Sequence, residues 1–184
     1  IWSFNNNEQP TTFSIFNLDT LQELSNITPI DRPNYPYSFI VDEQNRMFYV
    51  TDNTLVKLIF NGISTITNTT LVNSTNAFVN AKQMIIDKWG DLVILTNDGS
   101  NSNLLKYKTD GTQIGTTLSL GGAYYNLNTD KQGNYYYSNT TGTFKINKNT
   151  VAHDPFSDAG VKIRDTGMIG YGSNITGYQP SVYN

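Results

Sequence analysis

An Asp-led turn followed by an apolar and aromatic run occurs three times, at a spacing of about 45 residues. Asp42-Glu-Gln-Asn stands before Arg46-Met-Phe-Tyr-Val-Thr. Asp87-Lys-Trp-Gly stands before Asp91-Leu-Val-Ile-Leu-Thr, and Asp130-Lys-Gln-Gly before Asn134-Tyr-Tyr-Tyr-Ser. In the first unit the apolar runs 38–41, 47–50 and 55–60 are strand-length and separated by polar turns. Self-similarity at this period limits the chain to a solenoid or a propeller, and units of four short strands favour the propeller.

The third strand of each unit recurs as well. Asn53-Thr-Leu-Val-Lys-Leu-Ile-Phe precedes Asn61-Gly62, and Ser102-Asn-Leu-Leu-Lys-Tyr-Lys-Thr precedes Asp110-Gly111. Gly142-Thr-Phe-Lys-Ile-Asn precedes Lys148-Asn149. Asn-Gly and Asp-Gly tolerate positive φ and turn hairpins. A fourth strand is expected at 63–67, at 112–120 and from Thr150 onward. At the N-terminus, residues 2–5, 11–17 and 21–27 resemble the second, third and fourth strands of a unit lacking its first. Residues 167–172 have the apolar character to supply that first strand, with 168–171 pairing to 2–5 and so covering an open sheet edge. Residues 152–164 break the pattern and read as an insertion between the third unit and the closing strand. The expected fold is all-β: a single domain forming a β-propeller of four four-stranded antiparallel blades, the last closed by the N- and C-terminal strands. Its units are 1–28 with 166–184, 35–75, 78–120 and 122–165. Alternation along the strands places Ile40, Phe48, Val50, Ile86, Val93, Leu95, Tyr136 and Ile146 in the core.

The blade pattern runs from an apolar strand through Asp-x-x-Gly-Asn/Asp and a Tyr-rich strand to a Leu/Val-x-Lys strand and a Gly turn. It resembles the repeats of NHL and gluconolactonase-like propellers. Trp89-Gly-Asp-Leu-Val-Ile-Leu-Thr-Asn and Gln132-Gly-Asn-Tyr-Tyr-Tyr-Ser-Asn carry the resemblance best. It implies the fold and a place for a site, and no activity. Rings of that kind hold five to seven blades, so the chain is either a four-bladed ring or part of a larger one.

The chain of 184 residues contains no cysteine, which excludes a disulfide framework and thiolate metal sites. Its net charge of -3, with basic residues scattered singly, argues against a nucleic-acid groove. No apolar run approaches the roughly 18 residues of a membrane span. Ile1 in place of Met is what a processed or excised segment would show. Asn makes up roughly one residue in eight, above ordinary usage. Five glycosylation sequons begin at Asn26, Asn68, Asn73, Asn139 and Asn174. The expected carriers are Asn68, Asn73 and Asn139, taken to lie at turns or strand ends.

Two constellations carry candidate chemistry. Asp42, Asp87 and Asp130 either ring a channel and hold Ca²⁺ through their carboxylates, or accept backbone N–H bonds within their own turns. Their repetition in every unit favours the turn. The second is an aromatic set placed before each first strand: Tyr35, Tyr37, Phe78, Tyr124, Tyr125 and Tyr171. With Asn80 and Asn126 as polar neighbours, Tyr35, Tyr37, Tyr124 and Tyr125 suit stacking on sugar rings; the alternative is packing between blades. The single histidine, His153, is expected to be a solvated loop residue, since one His makes neither a triad nor a His-rich metal site.

The expected function is a non-enzymatic extracellular or particle-surface module that presents loops to a glycan or a protein, or assembles with copies of itself. No catalytic residue is assigned. Two alternatives stay open: a propeller hydrolase or lactonase whose divalent metal is held by Asp42, Asp87 and Asp130, and a filament subunit joined by strand addition.

Overall fold

The structure, a computed structural model, describes residues 2–5, 12–17, 19–27, 39–62, 65–146, 153–156 and 160–164. These residues form fifteen strands and no helix. No helix among the described residues is long and apolar enough to cross a membrane.

The strands form four antiparallel meanders, each following chain order. β1 (Trp2–Asn5), β2 (Thr12–Phe16) and β3 (Glu23–Ile27) make a three-stranded sheet. β4 (Phe39–Val41), β5 (Arg46–Val50), β6 (Thr54–Phe60) and β7 (Ile66–Asn73) make the second. The third comprises β8 (Ala81–Ile86), β9 (Leu92–Asn97), β10 (Ser102–Tyr107) and β11 (Leu118–Ser119). The fourth comprises β12 (Asn126–Thr129), β13 (Tyr135–Asn139), β14 (Gly142–Ile146) and β15 (Val161–Arg164). β8 lies beside both β4 and β12, and β3 lies against β7. The first strands of three successive four-stranded sheets are therefore neighbours. Pairing of 168–171 with β1 lies outside the described residues, as do Tyr35, Tyr37, Tyr171 and Asn174.

The middle strands are buried on both faces, and period-2 alternation divides their side chains between two cores. In β5, Met47 and Tyr49 pack toward Phe13 of the first sheet, while Phe48 and Val50 pack toward Phe78, Leu92 and Ile94 of the third. In β9, Leu92 and Ile94 face that same core. Val93 and Leu95 face Leu127, Tyr135 and Tyr137 of the fourth sheet. Each inner sheet is thus a layer between two others.

Of the expected core, Phe48, Val50, Val93, Leu95 and Ile146 are buried, and Ile40 and Ile86 are half-buried. Tyr136 departs from expectation. Its neighbours Tyr135 and Tyr137 take the core face, so alternation puts Tyr136 on the other, with Lys145 over its ring. The fourth strands also differ. β7 begins at Ile66 because Asn61 accepts the Thr65 N–H through Oδ1 and prolongs the turn. β11 is two residues long, with a lone bridge at Gln113. β15 falls at the end of the segment expected to be an insertion, so that segment completes the fourth sheet.

Candidate functional site

The three Asp-led turns are built alike. Asp42, Asp87 and Asp130 each donate their N–H to the carbonyl four residues on. Each Oδ1 accepts the N–H of that same residue: Arg46 at 2.8 Å, Asp91 at 3.0 Å and Asn134 at 2.9 Å. The fourth turn position has positive φ, 59° at Asn45, 80° at Gly90 and 90° at Gly133. A Cβ at Gly90 meets no heavy atom within 4 Å, so substitution there is charged to backbone conformation alone. Gly90→Ala is expected to cost about 1 kcal/mol and Gly90→Asn less, since Asn45 holds the equivalent place. Urea unfolding of both variants checks the order.

The second oxygen of each turn Asp is where the units diverge, because the residue four positions on is Arg, Asp or Asn. Arg46 Nε donates to Asp42 Oδ2 at 2.6 Å, and Asn134 Nδ2 donates to Asp130 Oδ2 at 2.7 Å. Asp91 can do neither, being an acid itself. The third sheet supplies Lys106 from β10 instead, its ammonium 2.9 Å from Asp87 Oδ2 and 3.1 Å from Asp91 Oδ2. The Asp91 contact lacks hydrogen-bond alignment and is coulombic. All three side chains are essentially inaccessible to solvent.

The fourth sheet and the segment 153–156 close over this cluster. Tyr135 OH donates to Asp87 Oδ2 at 2.6 Å and accepts from Lys106 Nζ at 3.2 Å. Lys106 Nζ also donates to the Asp154 carbonyl at 3.1 Å, and Phe156 packs edge-on against Tyr135. His153 lies 2.6 Å from Asp91 Oδ1 through Nδ1. The expectation of a merely solvated histidine is corrected: its ring is about half exposed, yet it is anchored to a buried carboxylate and takes a φ of 61°. Burial pushes the Asp87 carboxyl up. Hydrogen bonds from Lys106 and Tyr135, with the Lys106 charge, outweigh that and hold it below its ordinary value. Tyr135 is pushed far up by burial and by Asp87.

Asp87, Asp91 and His153 of this cluster line a cavity of about 600 Å³ between the turns of the second and third sheets. Glu43, Gln44, Lys88 and Asp110 are exposed on its rim, and Trp89 is half-buried, with Lys88 Nζ 4.7 Å above its ring. Asp42 and Asp87 border the cavity and Asp130 does not. Asp130 is engaged by Asn134 and by Tyr136 OH at 2.8 Å. Burial raises its carboxyl, but these bonds bring it below the ordinary value, and Tyr136 is pushed up to about 12 by burial and Asp130. Among the described residues, no three His, Cys, Asp or Glu side chains converge as metal ligands. No protein-family model, curated protein or solved structure matches the chain.

The described members of the aromatic set, Phe78, Tyr124 and Tyr125, lie at the opposite ends of the same strands. Asn97 joins Tyr124 to the polar neighbour Asn80, donating its N–H to Asn80 O at 3.1 Å and its side-chain amide to Tyr124 O at 2.9 Å. Tyr124 is buried edge-on against Tyr137 and Phe144. Asn126 is buried and donates to Ser138 Oγ, while Tyr125 is exposed. Of the sequons, Asn73 is exposed at the end of β7. Asn68 is the third residue of β7 and half-buried, inside the strand instead of at the expected turn or strand end. Asn139 donates to Ala123 O, and Asn26 lies in β3. Sequence reasoning missed Lys106, Asp91, Tyr135 and Trp89. The available signal was Asp91 itself, an acid where the sister turns carry Arg46 and Asn134.

Proposed function

We propose that this chain is a non-enzymatic, glycan-binding module of β-propeller type, acting outside the cell or on a particle surface, with the cavity beside Trp89 as its binding site. The observation that carries this reading is the state of the recurrent acids. Asp42, Asp87 and Asp130 are each engaged by two kinds of donor, their own turn and a side chain. None is left as a base, a nucleophile or a Ca²⁺ ligand set. What the cavity offers instead is volume in the range of small-ligand sites, a half-buried indole and rim groups that donate and accept hydrogen bonds. A sugar presents that combination of apolar face and hydroxyl edge. The stacking of meanders with first strands adjacent supports a propeller, its blade count made up by strands from both ends of the chain.

A glycan array probed with the full chain tests the reading. An oligosaccharide hit that Trp89→Ala weakens at least tenfold, about 1.4 kcal/mol, is the expected result. No hit on the array overturns the proposal. So does binding that survives Trp89→Ala but is lost in Tyr125→Ala, which would return the site to the aromatic face. Release of a cleaved sugar would overturn the non-enzymatic part.

A further inference from the structure

The geometry points to a covalent modification: an amide bond between Lys106 Nζ and the Asp87 side-chain carbonyl carbon, formed autocatalytically with Asp91 as proton shuttle. Four features of the cluster match what such a condensation needs. The nucleophile and the carboxyl are in contact at 2.9 Å, from strands and turns fixed by a packed sheet, so orientation is supplied by the fold. Both side chains are fully buried, which excludes the water that would reverse the reaction. The Asp87 Oδ1 accepts two backbone N–H groups, from Trp89 at 2.8 Å and Asp91 at 3.0 Å, positioned to hold an oxyanion. A second buried carboxylate, Asp91, lies 3.1 Å from the same nitrogen and is steadied on its other oxygen by His153.

The step balances without any co-reactant. A proton passes from the Lys106 ammonium to Asp87 Oδ2, giving an amine and a carboxylic acid. The amine lone pair attacks Cγ, forming the C–N bond, and the carbonyl π pair moves onto Oδ1. The nitrogen, now positive, gives a second proton to Asp91 Oδ2. Asp91 returns that proton to the departing Oδ2, where Tyr135 OH is already bonded, and the Cγ–Oδ2 bond breaks to release one water. Asp91 ends ionised, as it began. A neutral amide replaces the Lys106–Asp87 ion pair, and Asp91 keeps His153 as its partner.

The sister units lack the constellation. Lys57 and Lys145 occupy the places of Lys106 opposite Phe48 and Tyr136, but both are only half-buried. Their turns carry Arg46 and Asn134 where the third sheet has Asp91. One bond is expected in the chain, not three.

The test is the intact mass of the purified full-length chain under denaturing conditions. The expected value lies about 18 Da, one water, below the sequence mass. Trypsin then locates the bond, because an acylated Lys106 is not cleaved. The expected product is a branched species joining peptide 83–88 to peptide 89–108. A mass equal to the sequence mass overturns the proposal. So does a water loss confined within peptide 89–108, which would place the bond on Asp91. Asp91→Asn preserves shape and is expected to restore the full sequence mass of its variant while the chain still folds by circular dichroism. Bond formation in Asp91→Asn to the parent's extent overturns the shuttle. A water loss persisting in Lys106→Met would place it elsewhere in the chain and overturn the bond.

Discussion

Lys106→Ala is expected to lower stability by about 3–5 kcal/mol, because it strands two buried carboxylates. For a chain of this size that is a fall of roughly 10 °C in Tm. The loss is electrostatic rather than steric, so Lys106→Met, which refills the volume, should rescue little. Adding Asp87→Asn and Asp91→Asn to Lys106→Met should recover most of it, since an apolar and neutral cluster no longer buries charge. The pH dependence gives an independent reading. In the parent with Asp87 as a free carboxyl, Asp87 sits below its ordinary 3.8 in the folded state. The unfolded chain therefore takes up the proton first. The stability this contributes is present above about pH 4 and is lost as pH falls through the folded value. In Lys106→Ala, burial and the neighbouring Asp91 are expected to outweigh the Tyr135 and backbone bonds that remain, which raises the folded value. The folded state now takes up the proton first, and the variant gains stability as pH falls. An Asp87 held in an amide does not titrate, so the parent shows no acid gain in either form. Thermal melts at pH 7 and pH 4.5 decide it: a variant that melts like the parent, or that loses rather than gains stability in acid, contradicts this account.

Phe78→Ala should cost about 3–5 kcal/mol, as for a buried aromatic removed from a close-packed site. Phe78 is wholly buried and meets Tyr107 edge-on with centroids 5.7 Å apart, within the core shared by the second and third sheets. Tyr125, two-fifths exposed, is the control: Tyr125→Ala should stay within about 0.5 kcal/mol of the parent. Both aromatics precede the first strands of their sheets, so the pair separates packing from surface exposure within one aromatic set. Equal unfolding midpoints in chemical denaturation would show that Phe78 is not a core residue.

The sequence by itself determined the meander. Period-2 alternation, Asx and Gly turns and the repeat spacing are local properties, and they place β4 to β6, β8 to β10 and β12 to β14 close to where they lie. The three N-terminal strands were legible for the same reason. It determined the role of the turn acids as well, because Oδ1 of Asp42, Asp87 and Asp130 bonds to N–H groups at most four residues away. Alternation could not say which parity of 135–137 faces inward: a run of three tyrosines reads alike in either register, and only packing against Leu127 and Val93 chose Tyr135 and Tyr137. Nor did it show that a strand lysine is fully buried in one unit and half-exposed in its two counterparts. Lys106 is buried because Tyr135, Asp154 and Phe156 cover it from the next sheet and its loop, and His153 meets Asp91 across 62 positions of chain. Those contacts join residues whose local patterns are independent of one another. The tertiary structure alone decided that they share one low-dielectric site, where a single acid in place of Arg or Asn turns a repeated turn into a buried charge cluster.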